Sequence, residues 1–358
     1  MAAASEDSGL MAIIPNDGNS LRVGIVGCGL IGRRRAQAAA AHPRSRVVVV
    51  ADVDAGVAAQ VAKPLDARAS ANWRDVVDAL DVDVVCVATP NGFLAEIACA
   101  ALAAGKHVLL EKPMGRNLDE ARAIAAAAEA AKRRVKVGFN HRYHPAITRA
   151  HDELIAGTIG SPINARARYG HGGRPGYEKE WRGDAYLAGG GELTDQGVHV
   201  ADVLHWFLGV PREVYAVTQT AVWPLGALED NGFGLLRYAG GAVASFHTSW
   251  TQWKNLFSLE VFGERGSLVV EGLGGSYGEE TLTIAHRAMQ GGAPVMERLS
   301  FPGPDQSWAL EWDDFVSGVL DARAYLGDVE DGLVAMATLD ALYRSAREDR
   351  PVALAGTA

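Results

Sequence analysis

Cysteine, positive charge and long apolar runs are all scarce in this sequence. Three cysteines, Cys28, Cys86 and Cys99, occur in 358 residues. They form no CxxC pair and no even-numbered framework, which excludes a disulfide scaffold and a cysteine-built structural zinc site; no metal is expected. Cys86 and Cys99 sit in apolar stretches and read as small buried hydrophobes, a usage that fits a reducing cytoplasm. Lysine and arginine number 34 against 43 aspartates and glutamates, a net charge of −9. Phosphate-rich partners attract basic surfaces, so neither nucleic acid nor an anionic membrane is an expected partner. No run of about 18 apolar residues occurs, so no transmembrane helix is expected. Met1–Ser20 lacks a basic start and a long apolar centre, which argues against a signal peptide. It reads as a disordered tail, with Met11 as an alternative start.

What is present is ordinary globular material, 48% hydrophobic and 22% charged. At roughly 150 residues per domain the length suggests two domains. Residues 21–140 alternate strand-like and helix-like stretches. Strands are expected at Leu21–Val26, Val47–Ala51, Val82–Ala88, His107–Leu110 and Val135–Phe139. The intervening helices are Ala-rich; Gly105 suits the end of one, and Asn117 with Glu120 resembles a capping box at the start of another. Such alternation implies a parallel sheet with right-handed crossovers. Gly27–Gly32, Asp52, Thr89-Pro90-Asn91, Glu111-Lys112-Pro113 and Asn140 then fall just past successive strands. In a parallel sheet those ends share one edge, where ligands bind.

Gly27-Cys28-Gly29-Leu30-Ile31-Gly32 is a GxGxxG pattern, and it lies between a strand and a helix, the context such a signature requires. The first glycine permits the tight turn, the second lets backbone approach a pyrophosphate, and the third lets helix and strand pack closely. Asp52, about 20 residues further on, is placed to accept hydrogen bonds from ribose hydroxyls and to repel a 2′-phosphate, which favours NAD over NADP. Taken alone, the same residues also suit a plain strand-end turn. Arg33, Arg34 and Arg35 face a phosphate or lie on a solvated helix face.

After Asn140 the rhythm changes. Ile163–Tyr169, Glu213–Thr220, Phe233–Tyr238, Ala242–Trp250, Phe257–Phe262 and Ser267–Glu271 read as strands between glycine-rich turns, followed by helices at Trp308–Leu320 and Gly332–Glu348. Residues 141–358 are therefore expected to form an α/β domain with a large, mostly antiparallel open sheet. Within it, Gly189–Gly191 precedes an expected helix that would carry Asp195 and His199 four residues apart on one face, with Asp202 at i+7. The pair reads as a base held near neutral pH, or as a satisfied buried histidine beside a capping aspartate.

Taken together, GCGLIG at 27–32, the strand-end Asp52, ATPN at 88–91, AGKHVLLEKP at 104–113 and GGGELTDQGVHVAD at 189–202 resemble the glucose–fructose oxidoreductase/inositol dehydrogenase/rhizopine-catabolism (Gfo/Idh/MocA) family. The resemblance spans roughly Leu21 to Val352. It implies an N-terminal Rossmann domain, NAD as cofactor with NADP less favoured, and oxidoreductase chemistry between nicotinamide and a secondary hydroxyl or ketone of a sugar, inositol or sugar derivative. Lys112 then corresponds to the EKP lysine, Asp195 to the helix carboxylate and His199 to the catalytic histidine. The family often has histidine three residues past the Asn of TPN; here that position is Leu94.

On this reading Gly27, Gly29, Leu30, Ile31, Gly32, Asp52, Thr89, Pro90, Asn91, Glu111, Lys112 and Asn140 face the cofactor. Arg142, Tyr143, Arg174, Tyr177, Trp181 and Arg182 join Lys112, Asp195 and His199 around the substrate. Trp250–Lys254 forms the far wall or packs the sheet. His199 serves as base, and Lys112 places positive charge at the developing alkoxide. Two rivals remain at this stage: an NAD-dependent glycoside hydrolase on the same scaffold, and a cofactor-sensing regulator without catalysis. The exposed face of an open sheet points to a homodimer or homotetramer.

Overall fold

A computed structural model describes residues 18–354. All but the last few residues of the expected N-terminal tail, including Met11, lie outside the described residues. The first half folds as six strands: β1 (Leu21–Val26), β2 (Ser45–Ala51), β3 (Arg68–Ser70), β4 (Val84–Val87), β5 (His107–Leu110) and β6 (Val135–Val137). Their spatial order is β3-β2-β1-β4-β5-β6, and every pairing is parallel. Consecutive strands are joined by α1 (Leu30–Ala41), α2 (Ala55–Ala62), α3 (Arg74–Val77), α4 (Leu94–Ala103) and α5 (Leu118–Ala131). The order reverses between β1 and β4, which opens a crevice at their carboxyl ends.

Local signals explain several boundaries. Asp54 caps α2 by accepting from the Gly56 and Val57 amides. Asn117 caps α5 by accepting from the Glu120 amide, and Glu120 folds back onto the Arg116 amide (2.7 Å) rather than onto Asn117. Gly105, with φ +74°, follows α4 as expected.

α6 (Pro145–Ile155) leads into a second sheet of nine strands: β7 (Pro162–Gly170), β8 (Pro211–Gln219), β9 (Asn231–Tyr238), β10 (Val243–Ser249), β11 (Leu256–Gly263), β12 (Gly266–Glu271), β13 (Glu280–His286), β14 (Val295–Phe301) and β15 (Val352–Ala353). The order is β14-β13-β12-β11-β7-β10-β9-β8-β15. Only β7 and β10 pair in parallel; the rest are antiparallel. The α/β class and the mostly antiparallel open sheet agree with the sequence reading, although β3, β13, β14 and β15 were not anticipated. β14 is exposed along most of its length, so it lacks the apolar alternation that marks a half-buried strand.

Three short segments differ from expectation between β7 and β8. The single helix expected to carry Asp195 and His199 is two: α8 (Glu192–Asp195) and α9 (Gly197–Leu208), after α7 (Ala185–Ala188). The Glu192 amide donates to the Glu229 carbonyl (3.0 Å) and the Leu193 amide to the Glu229 carboxylate (2.9 Å), which tethers α8 to the start of β9.

The last helices, α10 (Ser307–Leu320) and α11 (Val329–Glu348), return to the first half. Trp312, Phe315 and Val316 of α10 share a core with Leu21, Ile25, Val50 and Leu109. A buried charge cluster crosses the same seam. Arg35 of α1 is 1% exposed; its Nε donates to Glu111 (2.7 Å), and it also donates to Glu311, which is fully buried on α10. Replacing Arg35 by methionine leaves two carboxylates without their counter-charge. The expected loss is about 3–5 kcal/mol of stability, read by urea unfolding, whereas removing a solvated pair such as Arg122–Asp119 should cost under about 1 kcal/mol.

Candidate active site

The glycine loop between β1 and α1 shows a separate physical reason for each glycine. Gly27 has φ +90°, and a Cβ there would meet the Ala88 carbonyl oxygen at 2.5 Å. A Cβ on Gly32 would stand 1.8 Å from the Gly27 carbonyl oxygen, so only glycine lets α1 start this close to the strand. A Cβ on Gly29 would meet nothing within 4 Å. Gly29 is thus the open position, where the loop backbone at the start of α1 can be approached from outside. Leu30 beside it is also exposed, at 69%. Asp52, at the end of β2, accepts from the Cys28 amide (2.7 Å) and the Asp54 amide (3.0 Å), which pins its carboxylate beside that loop. Thr89 Oγ1, past β4, is buried without a partner. Asn91 is buried and donates to the Ala188 carbonyl (2.8 Å), joining the strand edge to α7. These features suit a dinucleotide: an open amide-bearing loop, an anchored carboxylate and an unpaired hydroxyl at one sheet edge.

Of the three arginines opening α1, Arg33 and Arg34 are exposed. Arg33 Nε bonds the Cys28 carbonyl, and Arg34 lies 5.5 Å from the Trp308 ring. Arg35 is instead the buried cation described above.

Next to this edge is a cavity of about 260 Å³, just under the roughly 300 Å³ lower end of small-molecule sites. It is lined from the nucleotide side by Ile31, Arg34, Glu111, Lys112 and Asn140, and from the far side by Tyr177, Arg182, Asp195, Gln196 and His199, among others. Lys112 and His199 therefore share one cavity. Lys112 Nζ donates to Asp195 Oδ1 (2.8 Å) and to the Asp195 carbonyl. Arg182 Nε donates to the other carboxylate oxygen (2.9 Å). Burial works against the charged form of Asp195, but Lys112 and Arg182 override it and hold the carboxyl below its usual range. Asp195 does not bond His199: both its oxygens are occupied by cations, and the helix break separates the two residues.

His199 is 6% exposed, its ring makes no hydrogen bond to the described residues, and its Nδ1 is buried unpartnered. Burial, then the Lys112 charge, then His144 and Arg35, depress its pKa well below the ordinary histidine value. It is a neutral imidazole with basic capacity at a buried position. Asn140 Nδ2 donates to Ser307 Oγ (3.0 Å), and Glu111 is engaged by Arg35.

Several residues expected at the substrate are elsewhere. Arg142, 2% exposed, is turned away into bidentate pairs with Asp202 (2.6 and 3.0 Å) and Asp331 (2.9 Å), so it fixes α9 against α11. The same pairing accounts for Asp202, which faces Arg142 and not the cavity. Tyr143 bonds Lys136 (2.7 Å) and Asp314, also outside the cavity. The cause is the helical turn at Asn140–Tyr143, which fans successive side chains around its axis, so that Asn140, His141 and His144 line the cavity while Arg142 and Tyr143 turn away. Arg174 is on the surface and paired with Glu180 (2.7 and 2.8 Å). Trp181 carries the Arg182 guanidinium 4.4 Å above its ring without itself lining the cavity. Trp250 is fully buried against Tyr177, while Trp253 is exposed. In their place the cavity takes His141, His144, Tyr169, His171, Tyr277, Asp305 and Trp308. Tyr277 and Asp305 sit in irregular segments and Trp308 in the first turn of α10, with no local motif pointing any of them at a ligand.

The comparisons agree with this geometry. The oxidoreductase family with an NAD-binding Rossmann fold matches residues 21–139, and the GFO/IDH/MocA C-terminal domain matches residues 147–269. Levoglucosan dehydrogenase from Pseudarthrobacter phenanthrenivorans is 30% identical over 70% of this chain and 73% of its own. Inositol 2-dehydrogenase from Rubrobacter xylanophilus is 27% identical over 94% and 93%. Among solved structures, a levoglucosan dehydrogenase in complex with NADH and L-sorbose superposes with a TM-score of 0.86, at 26% identity, over 94% of this chain and 99% of that one. The chain belongs to the Gfo/Idh/MocA family and is an NAD-dependent oxidoreductase.

The glycine geometry separates folding from binding. Gly29→Ala should leave thermal stability within about 1 kcal/mol of the wild type yet weaken NADH binding by tenfold or more, on the order of a lost backbone contact. Gly32→Ala should lower both, as seen by thermal unfolding beside NADH fluorescence titration.

Proposed function

We propose that this protein moves a hydride between NAD and a carbon bearing a secondary hydroxyl in a sugar, an inositol or a related polyol. The observation that carries the reading is the joint presence, in one cavity beside the dinucleotide edge, of Lys112 from the end of β5 and a neutral, unpartnered His199 from α9. Similarity to relatives named for levoglucosan and inositol supports the substrate class.

Gly27, Gly29, Leu30, Ile31 and Gly32 would take the pyrophosphate, and Asp52 the adenosine ribose, where its carboxylate favours NAD over NADP. Thr89, Pro90, Asn91, Glu111 and Asn140 would border the nicotinamide half. Bound nicotinamide supplies the hydride acceptor. This chain's own residues handle the proton and the charge. Neutral His199 accepts the hydroxyl proton as the carbonyl forms, and returns it in the reduction direction. Lys112 stabilises the developing alkoxide. Asp195 holds the ammonium in place from one side while Arg182 holds Asp195 from the other, a support that fixes Lys112 without neutralising the whole cluster. Tyr177 and Arg182 border the substrate. Residues 21–140 serve the cofactor and 141–358 the substrate, with α10 packed back on the first sheet.

We further propose a homodimer or homotetramer in the cytoplasm, assembled through the outer face of the nine-stranded sheet. Val217, Phe233, Leu235 and Val243 lie in register on that face and are 37–47% exposed. Such an apolar patch is a liability in a free monomer. Leu235→Glu should shift the species observed by light scattering to the monomer.

NADH formation across a panel of inositols, sugars, uronates and nucleotide sugars tests the activity. Lys112→Met should lower kcat by about 10²–10⁴-fold while NADH binding persists. The sign of its pH effect follows from the electrostatics. The Lys112 charge depresses the His199 pKa, so its removal raises that pKa. The acid limb of the oxidation profile, where His199 protonates, should therefore move to higher pH. An unmoved limb removes His199 from the role of base.

A further inference from the structure

The mechanism above uses one imidazole, but the cavity wall contains two face to face. His141, in the turn after β6, stacks on His199 with ring centroids 3.8 Å apart and planes 25° from parallel. His141 is 3% exposed. Its Nδ1 lies 3.3 Å from Asn140 Oδ1, while its Nε2 is buried with no partner. Among the described residues neither ring is paired with a carboxylate: Asp195 is held by Lys112 and Arg182, Glu280 lies 3.0 Å from His144 Nδ1, and the buried Glu192 carboxylate nearby makes no hydrogen bond to either. The other neighbours are Phe139, Tyr169, Phe257 and His144, with Lys112 as the nearby cation. Burial and the nearby Lys112 charge hold both rings well below the ordinary histidine pKa, so both stay neutral and available for hydrogen bonds. Buried polar atoms normally have partners, and an orphan in a cavity wall marks a place where a ligand completes the set.

Resting on the polyol reading just given, we propose that His141 is a substrate-contacting specificity residue: while His199 takes the reacting hydroxyl, His141 Nε2 bonds the hydroxyl on the adjacent ring carbon, so the site selects vicinal diols. The geometry suits this pairing. The two rings lie 3.8 Å apart, and the oxygens of neighbouring ring hydroxyls are spaced about 1 Å more closely, at about hydrogen-bond distance, so two adjacent hydroxyls can each meet one ring. A substrate lacking the second hydroxyl leaves His141 Nε2 unpartnered, and sites built to bond a hydroxyl reject analogues without it.

The test compares trans-cyclohexane-1,2-diol with cyclohexanol, in the wild type, in His141→Phe, which keeps an aromatic stack without a ring nitrogen, and in His141→Gln, which keeps a hydrogen-bonding group. Variants are first matched to the wild type by NADH titration. Wild-type kcat/KM should favour the diol by at least about tenfold. His141→Phe should bring the two within about twofold through loss on the diol, and His141→Gln should restore part of the gap. Where turnover of these small probes is too slow to read, their competition is scored in the NADH-bound enzyme by the same ratio. Equal handling of diol and alcohol by the wild type, or an undiminished preference in His141→Phe, overturns the inference. Absence of NADH formation from every polyol in the larger panel, with the diol still preferred as a ligand, overturns the redox reading and leaves this one standing.

Discussion

The candidate site depends on one half-buried carboxylate with two cations. Asp195 lies between Lys112, which belongs to the nucleotide-side sheet edge, and Arg182, which belongs to the segment after β7. Buried charges persist only when paired and hydrogen-bonded. Here the pairing spans both halves of the molecule, so the position of the Lys112 ammonium is a property of the whole fold. The cluster carries one more positive charge than negative. That surplus is the electrostatic background against which His199, close by and without a carboxylate of its own, remains neutral.

The same logic runs along the rest of the seam. Arg35 with Glu111 and Glu311, and Arg142 with Asp202 and Asp331, are buried cation–carboxylate groups whose members come from distant parts of the chain. They lock α1 to α10 and the turn after β6 to α9 and α11. Each is costly to assemble and still more costly to leave incomplete. They hold the strand edge, the glycine loop and α9 in a fixed relation, which proximity-based chemistry requires. The cavity lies between these locks, and the polar atoms around it without partners include one nitrogen on each of the two stacked imidazoles.

Much of this arrangement was legible in the order of residues. GxGxxG after a strand, Asp52 at the next strand end and Lys112 at a later one follow from local periodicity plus the rule that parallel strands share a carboxyl edge. The misreadings are equally physical. Arg142 and Tyr143 follow a strand just as Asn140 does, but a helical turn sends neighbouring side chains in different directions, and the nearest buried carboxylates captured theirs. Asp195 and His199 are four apart, yet α8 ends at Asp195 and α9 begins at Gly197, so one continuous helix does not carry both. β14 escaped notice because solvent covers it and no alternation is needed there.

The linear sequence by itself determined the class of fold, the nucleotide-binding loop and the identity of the ionisable groups, because these depend on short-range spacing and on the chemistry of single side chains. Only the tertiary structure decided which cation meets which carboxylate, that His199 has an imidazole neighbour in place of an aspartate, and that Tyr277, Asp305 and Trp308 help enclose the cavity. Those outcomes turn on a few ångströms of side-chain direction between residues 13 to 276 positions apart in the chain, and such contacts are selected by packing and by the cost of leaving a buried charge alone.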